Sequence, residues 1–288
     1  MRITNLDGRL ALLSGGGAID VERASDGRFA ADPQQIYTEW EQFRRWADGV
    51  NTETVEPFAA TAIRQLVTAP RQIFAIGLNY SEHAAESGFT APEHPAVFTK
   101  FAGSLTGPSG MIDLPAATVD WEVEVVAVIG REAYQVPESA AWDHVAGLTV
   151  GQDLSERTLQ LSGPVPQFSL GKSYPGFSPI GPALVTVDEF LNPDDLELGC
   201  QINGELVQKG RTTDLIFSVP ELVARLSSVL PLLPGDIIFT GTPAGVGHAR
   251  TPQRYLRPGD ELVSWVEGIG EMRHTFTGLS AMELGGTR

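Results

Sequence analysis

The chain of 288 residues is long enough to bury a full hydrophobic core, and its formal net charge of -16 excludes the basic surface that nucleic acids and anionic membranes require. Its single cysteine, Cys200, cannot form an intramolecular disulfide, which is typical of a reducing compartment. The first residues lack an apolar signal core and no run approaches the length of a membrane span, so the sequence predicts a cytoplasmic protein without a nucleic-acid or membrane partner.

Residues 1–68 are predicted to form a small N-terminal domain. The segment Arg9–Leu13 has the apolar character of a strand. A helix is predicted to begin at Asp32-Pro33, because proline suits the first helical turn. The predicted buried face of this helix recurs at spacings of four and three residues: Ile36, Trp40, Phe43 and Trp46.

Residues 69–288 are predicted to form a larger domain, in which short strands are separated by Gly and Pro. A helix is predicted after Ser218, where Ser218 and Glu221 form a capping box. The predicted apolar face of this helix is Leu222, Val223, Leu226, Val229 and Leu230. Strands outnumber helices without alternating with them, which disfavours a doubly wound fold and favours an α+β, mainly β roll, sandwich or barrel.

Two glutamates stand one residue apart within the apolar segment Asp120–Gly130. Because side chains alternate across a strand, Glu122 and Glu124 project from one face and the intervening valine from the other. A buried carboxylate pair needs a shared proton, cationic partners or a metal ion. A solvated face of an antiparallel strand is the alternative, and the spacing leaves these two interpretations nearly even.

A metal site would need a third oxygen ligand, and Asp153 is the candidate because it closes the next short apolar stretch. An all-carboxylate set suits a hard cation such as Mg²⁺ or Mn²⁺. If the chain continues as a helix, Asp153, Arg157 and Gln160 fall at positions i, i+4 and i+7 on one face. The alternative is a surface Asp-Arg pair of little consequence.

Two further segments offer groups for an anionic substrate. Lys172 lies between Gly171 and Ser173, but the glycine that a phosphate loop needs is replaced by Pro166. Lys172 is therefore either a single cationic contact or an exposed lysine in a turn. The glycines of the segment 241–247 would bring backbone N–H groups close to a carboxylate, or would only form a compact turn.

His83 and Glu86 lie three residues apart, so on a helical turn the carboxylate can orient the imidazole and raise its basicity. The flanking Gly77 and Gly88 would allow this segment to move as a lid. A surface His-Glu pair is the alternative interpretation.

The order and spacing of these segments resemble the fumarylacetoacetate hydrolase family from about Ile73 to Gly278. The Glu-x-Glu and Thr-Gly-Thr-Pro elements are the most specific part of the resemblance. The matching segments are Gly77–Gly88, Asp120–Gly130, Asp153–Gln160, Gly171–Ser173, Asn203–Gln208, Gly235–Gly247 and Pro258–Gly270.

This resemblance implies a small N-terminal α/β domain followed by a catalytic domain that is a mixed β-sandwich or β-roll. It also implies a protein that is usually a homodimer. It implies a Mg²⁺ or Mn²⁺ site, with Ca²⁺ as a further option. The implied site residues are the metal ligands Glu122, Glu124 and Asp153, the catalytic residues His83, Glu86 and Lys172, and the substrate contacts Arg157, Gln160 and Thr242.

The activity that the resemblance implies is hydrolysis of a C–C bond in an acylpyruvate or related 2,4-diketo acid, such as a fumarylpyruvate-like or fumarylacetoacetate-like compound. The cation would stabilise an enolate while His83 and Glu86 activate water. The alternative is an oxaloacetate-type 2-keto acid decarboxylase or a 2-hydroxyhepta-2,4-diene-1,7-dioate-type isomerase. An inactive metal-stabilised binding module is a third hypothesis, against which the retained His83-Glu86 pair argues.

Overall fold

A computed structural model describes residues 1–278 of the chain, except Glu53, Ser87, Phe89 and Ala91. The strands are β1 (Arg2–Leu6), β2 (Arg9–Ser14), β3 (Gly17–Asp20), β4 (Ile63–Arg64), β5 (Ile73–Gly77), β6 (Ala96–Thr99), β7 (Leu105–Thr106), β8 (Ser109–Asp113), β9 (Val119–Asp120), β10 (Val123–Ile129), β11 (Val145–Gln152), β12 (Ser155–Glu156), β13 (Ser178–Val185), β14 (Glu197–Ile202), β15 (Glu205–Arg211), β16 (Ile237–Phe239), β17 (Glu261–Val266) and β18 (Gly270–Thr277). The α-helices are α1 (Val21–Ala24), α2 (Trp40–Ala47), α3 (Ser81–Glu86), α4 (Arg157–Gln160), α5 (Phe168–Gly171) and α6 (Val219–Ser227).

Two sheets dominate the architecture. Within the described residues, eleven strands form the larger sheet, whose main path runs β3-β2-β1-β13-β11-β10-β16-β5-β6. Five described strands form the second sheet, in the order β15-β14-β17-β18-β8. The pairs β5-β16, β7-β13 and β8-β18 are parallel, whereas the other named pairs are antiparallel. The predicted α+β, mainly β fold class is confirmed.

The N-terminal strands belong to the larger sheet. β1 pairs antiparallel with β13, with Arg2 opposite Val185 and Ile3 opposite Leu184. The division into domains 1–68 and 69–288 stays a prediction, and residues 279–288 of the second lie outside the described part of the chain.

Both helices predicted from the sequence are present with different limits. The first begins as a 3-10 turn at Gln35–Glu39, not at Asp32-Pro33, and continues as α2. In α6 the Ser218 hydroxyl accepts a hydrogen bond from the N–H of Glu221, which confirms the N-cap. Val229 was wrongly placed on the apolar face, since it follows the end of α6 and is 78% exposed. None of the described helices is long and apolar enough to cross a membrane.

β10 lies between β11 and β16 and is buried on both faces. Val123 and Val125 pack into one apolar cluster, whereas Val126 packs into a second cluster that includes N-terminal residues such as Phe43. Because alternate residues share a face, Glu124 lies on the same face of β10 as Val126. Every residue of β10 is buried, including Glu124 near its start.

Candidate functional site

Three carboxylates converge where β10 begins and β11 ends. Antiparallel pairing of these strands brings Glu122 and Glu124 beside Asp153, whose N–H donates to the carbonyl of Glu122 at 2.9 Å. One oxygen from each side chain lies within 4.8 Å of the others. All three residues are buried, with exposures of 6%, 1% and 1%, so the alternative of a solvated strand face is wrong.

Buried ion pairs surround this cluster, with nitrogen–oxygen distances between 2.5 and 2.8 Å. They form a row in which carboxylates and cations alternate: Asp120, Arg157, Glu122, Lys172, Asp153 and Lys100. The row is formally neutral. Glu124 stands beside it and has no cationic partner among the described residues; its carboxylate accepts a hydrogen bond from the N–H of Gly241 at 2.7 Å.

The surrounding charges shift the pKa values of Glu122 and Glu124 in opposite directions. Burial alone would raise the pKa of Glu122, but the charges of Lys172 and Arg157 outweigh it and lower the pKa to about 2. Burial and the charges of Asp153 and Glu122 raise the pKa of Glu124 well above its ordinary value. Glu124 is therefore the carboxylate whose charge the protein leaves uncompensated.

The donor set fits a hard divalent cation. Opposite oxygen ligands lie about 4 Å apart around Mg²⁺ and about 5 Å apart around Ca²⁺, so oxygens within 4.8 Å can close on such an ion with small side-chain movements. When ionised, the four carboxylates and three cations of this cluster leave a formal charge of -1. A divalent cation would change this to +1, which suits an anionic substrate.

Lys172 lies inside the cluster and is 2% exposed, so the alternative of an exposed lysine is wrong. Its ammonium donates to Glu122 at 2.8 Å, to Asp153 at 2.7 Å and to the hydroxyl of Ser155 at 2.7 Å. Burial would lower the pKa of Lys172, but the charges of Asp153 and Glu122 outweigh it and raise the pKa. In this arrangement Lys172 stays charged and orients two of the metal-ligand candidates.

Lys100 and Asp120 also belong to the site, although the sequence did not indicate them. Lys100 is 1% exposed; its ammonium donates to Asp153 and to the carbonyl of Lys172. Burial lowers the pKa of Lys100. Its position two residues after the aromatic Phe98 was the available sequence signal. Asp120 stands two residues before Glu122, but its position alone did not indicate a partner.

Arg157 and Gln160 begin and end the single turn α4. The predicted helical face shared with Asp153 is wrong, because β12 separates Asp153 from this turn. The predicted surface Asp-Arg pair is also wrong, since Arg157 is 7% exposed and is paired with Asp120 and Glu122. Arg157 donates to the side-chain oxygen of Gln160 at 2.9 Å, and no described residue accepts a hydrogen bond from the amide nitrogen of Gln160.

His83 and Glu86 form a hydrogen-bonded pair on α3. Nδ1 of His83 lies 2.7 Å from Oε1 of Glu86, and the carboxylate is held from its other side by the N–H of Gly245 at 2.9 Å. His83 is 6% exposed, so the surface-pair alternative is wrong for the imidazole. Because the carboxylate accepts the proton of Nδ1, Nε2 carries the lone pair, and no described residue hydrogen-bonds to it.

His83 also lies near the acidic cluster. A positive charge on His83, when its imidazole is protonated, would lower the pKa of Glu122, which places the imidazole within electrostatic range of this carboxylate. The structure thus brings the predicted base and the predicted metal ligands together. Their roles stay predictions.

The segment 241–247 supplies backbone N–H groups to carboxylates of the protein itself. The three pairs are Gly241 with Glu124, Gly245 with Glu86, and Gly247 with Asp120. A side chain cannot replace the hydrogen of Gly241, because its φ is 104° and a Cβ would lie 2.6 Å from the Cβ of Asn79.

Thr242 is engaged within the protein. Its hydroxyl donates to the carbonyl of Val123 at 2.8 Å and accepts from the amide of Gln208 at 2.8 Å. Thr242 therefore links the 241–247 segment to the start of β10. Its predicted role as a substrate contact stays a prediction.

Comparison with known proteins identifies relatives over most of the chain. The family model for the C-terminal region of fumarylacetoacetate hydrolase matches residues 72–277. Mitochondrial oxaloacetate tautomerase FAHD2A from Homo sapiens is 41% identical over 206 residues, which cover 71% of this chain and 66% of that protein. The match thus spans slightly less than two thirds of this curated relative.

Solved structures resemble the chain over nearly its full length. A putative HpcE protein from Mycobacterium smegmatis is 54% identical with a TM-score of 0.94, covering 97% of this chain and 100% of that one. Maleylpyruvate hydrolase from Sphingobium sp. SYK-6, in complex with manganese(II) and pyruvate, is 26% identical with a TM-score of 0.77, covering 97% of this chain and 100% of that one.

Proposed function

Because the chain belongs to the fumarylacetoacetate hydrolase family, we propose that it is a divalent-metal-dependent enzyme that interconverts the keto and enol forms of an oxaloacetate-type 2-keto acid. The observation that carries this proposal is the uncompensated carboxylate of Glu124, buried beside a neutral row of ion pairs whose Glu122 lies within electrostatic range of His83. The 41% identity to an oxaloacetate tautomerase supports this reaction class.

Glu122, Glu124 and Asp153 would hold Mg²⁺ or Mn²⁺, and this ion supplies Lewis-acid stabilisation of negative charge on the keto oxygen. Lys172 donates to two of these carboxylates and thereby fixes their orientation. The amide nitrogen of Gln160 can donate a hydrogen bond to a substrate oxygen, because no described residue accepts a hydrogen bond from it.

His83 moves the proton. Its Nε2 takes a proton from C3 of the keto form, the C–H electron pair forms the C2–C3 double bond while the carbonyl π pair moves onto the keto oxygen, and the imidazolium returns the proton to that oxygen to give the enol. Glu86 accepts a hydrogen bond from the N–H at Nδ1, so Nε2 stays free to act as the base. The charge of Glu86 also stabilises the imidazolium that forms. The reverse sequence converts the enol to the keto form.

The hydrolase predicted from the sequence is the second candidate function. A free Nε2 beside the acidic cluster can equally take a proton from water, which then attacks the C4 carbonyl of an acylpyruvate. The structural similarity to maleylpyruvate hydrolase supports this candidate.

Turnover of enol-oxaloacetate with Mn²⁺ tests the proposal, followed as the loss of the ultraviolet absorbance of the enol. We expect ketonisation well above the spontaneous rate, and we expect EDTA to remove this acceleration. An acylpyruvate and fumarylpyruvate are assayed in parallel. Cleavage of these compounds without accelerated ketonisation would favour the second candidate, and full activity in EDTA would contradict the metal requirement.

Three further expectations from the sequence stay predictions: the 2-keto or diketo acid substrate, the homodimer and the cytoplasmic location. The mitochondrial location in the name of FAHD2A belongs to that relative.

A further inference from the structure

Asp120 is a fully buried carboxylate that accepts hydrogen bonds from several directions. Oδ1 accepts from the N–H groups of Trp121 at 2.8 Å and Gly247 at 2.7 Å. Oδ2 accepts from the N–H of His248 at 2.9 Å and from Nε and Nη2 of Arg157 at 2.9 and 2.7 Å. Asp120 thus connects Arg157 to the segment that also holds Glu86.

The other side of Arg157 contacts a metal-ligand candidate. Nη1 of Arg157 lies 2.7 Å from Oε1 of Glu122. A guanidinium at this distance competes with a metal ion for the negative charge of the carboxylate. Asp120 offsets this competition, because it neutralises Arg157 and holds it through two hydrogen bonds.

We propose that Asp120 is a positioning residue that sets the metal affinity of the site by neutralising and holding Arg157, so that Glu122 stays available to the cation. This inference rests on the proposed metal site. The packing around Asp120 leaves little freedom for rearrangement: a Cβ on Gly247 would lie 2.8 Å from Oδ1 of Asp120 and 1.9 Å from the carbonyl oxygen of Arg254.

Mn²⁺ affinity of the full chain, measured by isothermal titration calorimetry, tests this role. We expect Asp120→Asn to weaken Mn²⁺ binding by roughly 10- to 100-fold, the usual effect of losing an outer-shell partner. Arg157→Gln removes the competing cation and is expected to bind Mn²⁺ more tightly than wild type. The double variant Asp120→Asn/Arg157→Gln has the same formal charge as wild type, so it is expected to recover most of the lost affinity.

Asp236→Asn is the matched control. Asp236 is also fully buried and accepts N–H hydrogen bonds from Gln72 and Leu233, but it lies at the far end of β10, beside Ile129. We expect this variant to lower thermal stability and to leave Mn²⁺ affinity unchanged. A merely structural role for Asp120 would give no recovery in the double variant.

The outcomes distinguish the role of Asp120 from the proposed function. If wild type does not bind Mn²⁺, the proposed function itself is overturned. If wild type binds and Asp120→Asn binds equally well, or if the Asp236→Asn control loses as much affinity, the role of Asp120 is overturned. If Asp120→Asn does not fold, the double variant provides the test. Weak Mn²⁺ binding by Asp120→Asn/Arg157→Gln would then overturn the role of Asp120.

Discussion

Replacing Glu124 with glutamine is expected to abolish divalent-metal binding and to lower turnover by at least about a thousandfold, while making the metal-free protein more stable than wild type. The two effects have opposite signs because Glu124 is a ligand candidate that lacks a cationic partner among the described residues. Glutamine keeps an oxygen that can accept the N–H of Gly241, but it removes the repulsion from Asp153 and Glu122.

The stability effect should depend on pH. The pKa of Glu124 in the folded protein is raised above its ordinary value of 4.5 by burial and by neighbouring carboxylates. A raised pKa of an acid means that its contribution to stability is fully present below the unfolded-state pKa and is lost as pH rises through the folded-state pKa. Metal-free wild type should therefore lose stability relative to Glu124→Gln as the pH rises above 4.5.

Thermal unfolding with and without Mn²⁺ measures both effects. A difference of about 1 kcal/mol would shift Tm by about 2 °C in a chain of 288 residues. Mn²⁺ should raise the Tm of wild type and leave that of Glu124→Gln unchanged. The control is Glu156→Gln, whose buried carboxylate accepts the N–H groups of Thr158 and Leu159 at the start of α4; it should lose stability but still bind Mn²⁺. Equal stabilisation of both glutamine variants by Mn²⁺ would contradict the ligand role of Glu124.

Replacing His83 with alanine is expected to lower the rate of enol-oxaloacetate ketonisation by about 10²- to 10⁴-fold and to leave Mn²⁺ affinity unchanged. His83 is not among the three metal-ligand candidates, and its Nε2 is the free base near them. Glu86→Gln should lower the ketonisation rate less than His83→Ala does, because the amide oxygen still accepts a hydrogen bond from Nδ1. The rate should still fall, because the amide lacks the charge that stabilises the imidazolium.

His144→Ala is the matched control, since His144 hydrogen-bonds to the carbonyl of Glu132 and does not contact the acidic cluster. The measurement is kcat/KM for each variant at saturating Mn²⁺, together with its Mn²⁺ affinity. If His83→Ala keeps wild-type ketonisation, His83 is not the base. If it keeps ketonisation but loses acylpyruvate cleavage, the imidazole serves only the water attack of the second candidate function.

The period-two pattern of β10 correctly predicted that Glu122 and Glu124 share one side, but it did not predict whether that side is buried. Burial depends on contacts with residues far away in the chain: Lys172, which lies 50 residues from Glu122, donates to its carboxylate. Local spacing carries no information about such packing. The comparison with a known family supplied what the spacing could not.

The missed members of the site have partners that are distant in sequence. Lys100 contacts Asp153, which lies 53 residues away, and Asp120 contacts Arg157, which lies 37 residues away. The error at Arg157 has a different origin, since the helical spacing from Asp153 assumed a continuous helix where the chain forms β12. Sheet pairing, not helical periodicity, assembles this site.

The proposed function requires that Glu122, Glu124 and Asp153 hold one divalent cation at which a 2-keto acid reacts. Anomalous diffraction from crystals of the chain grown with Mn²⁺ and pyruvate tests it most directly. We expect one manganese peak per chain, bounded by oxygens of these three carboxylates, with pyruvate beside it and within reach of His83. A peak elsewhere, or no peak in crystals of protein that turns over 2-keto acids, would contradict it.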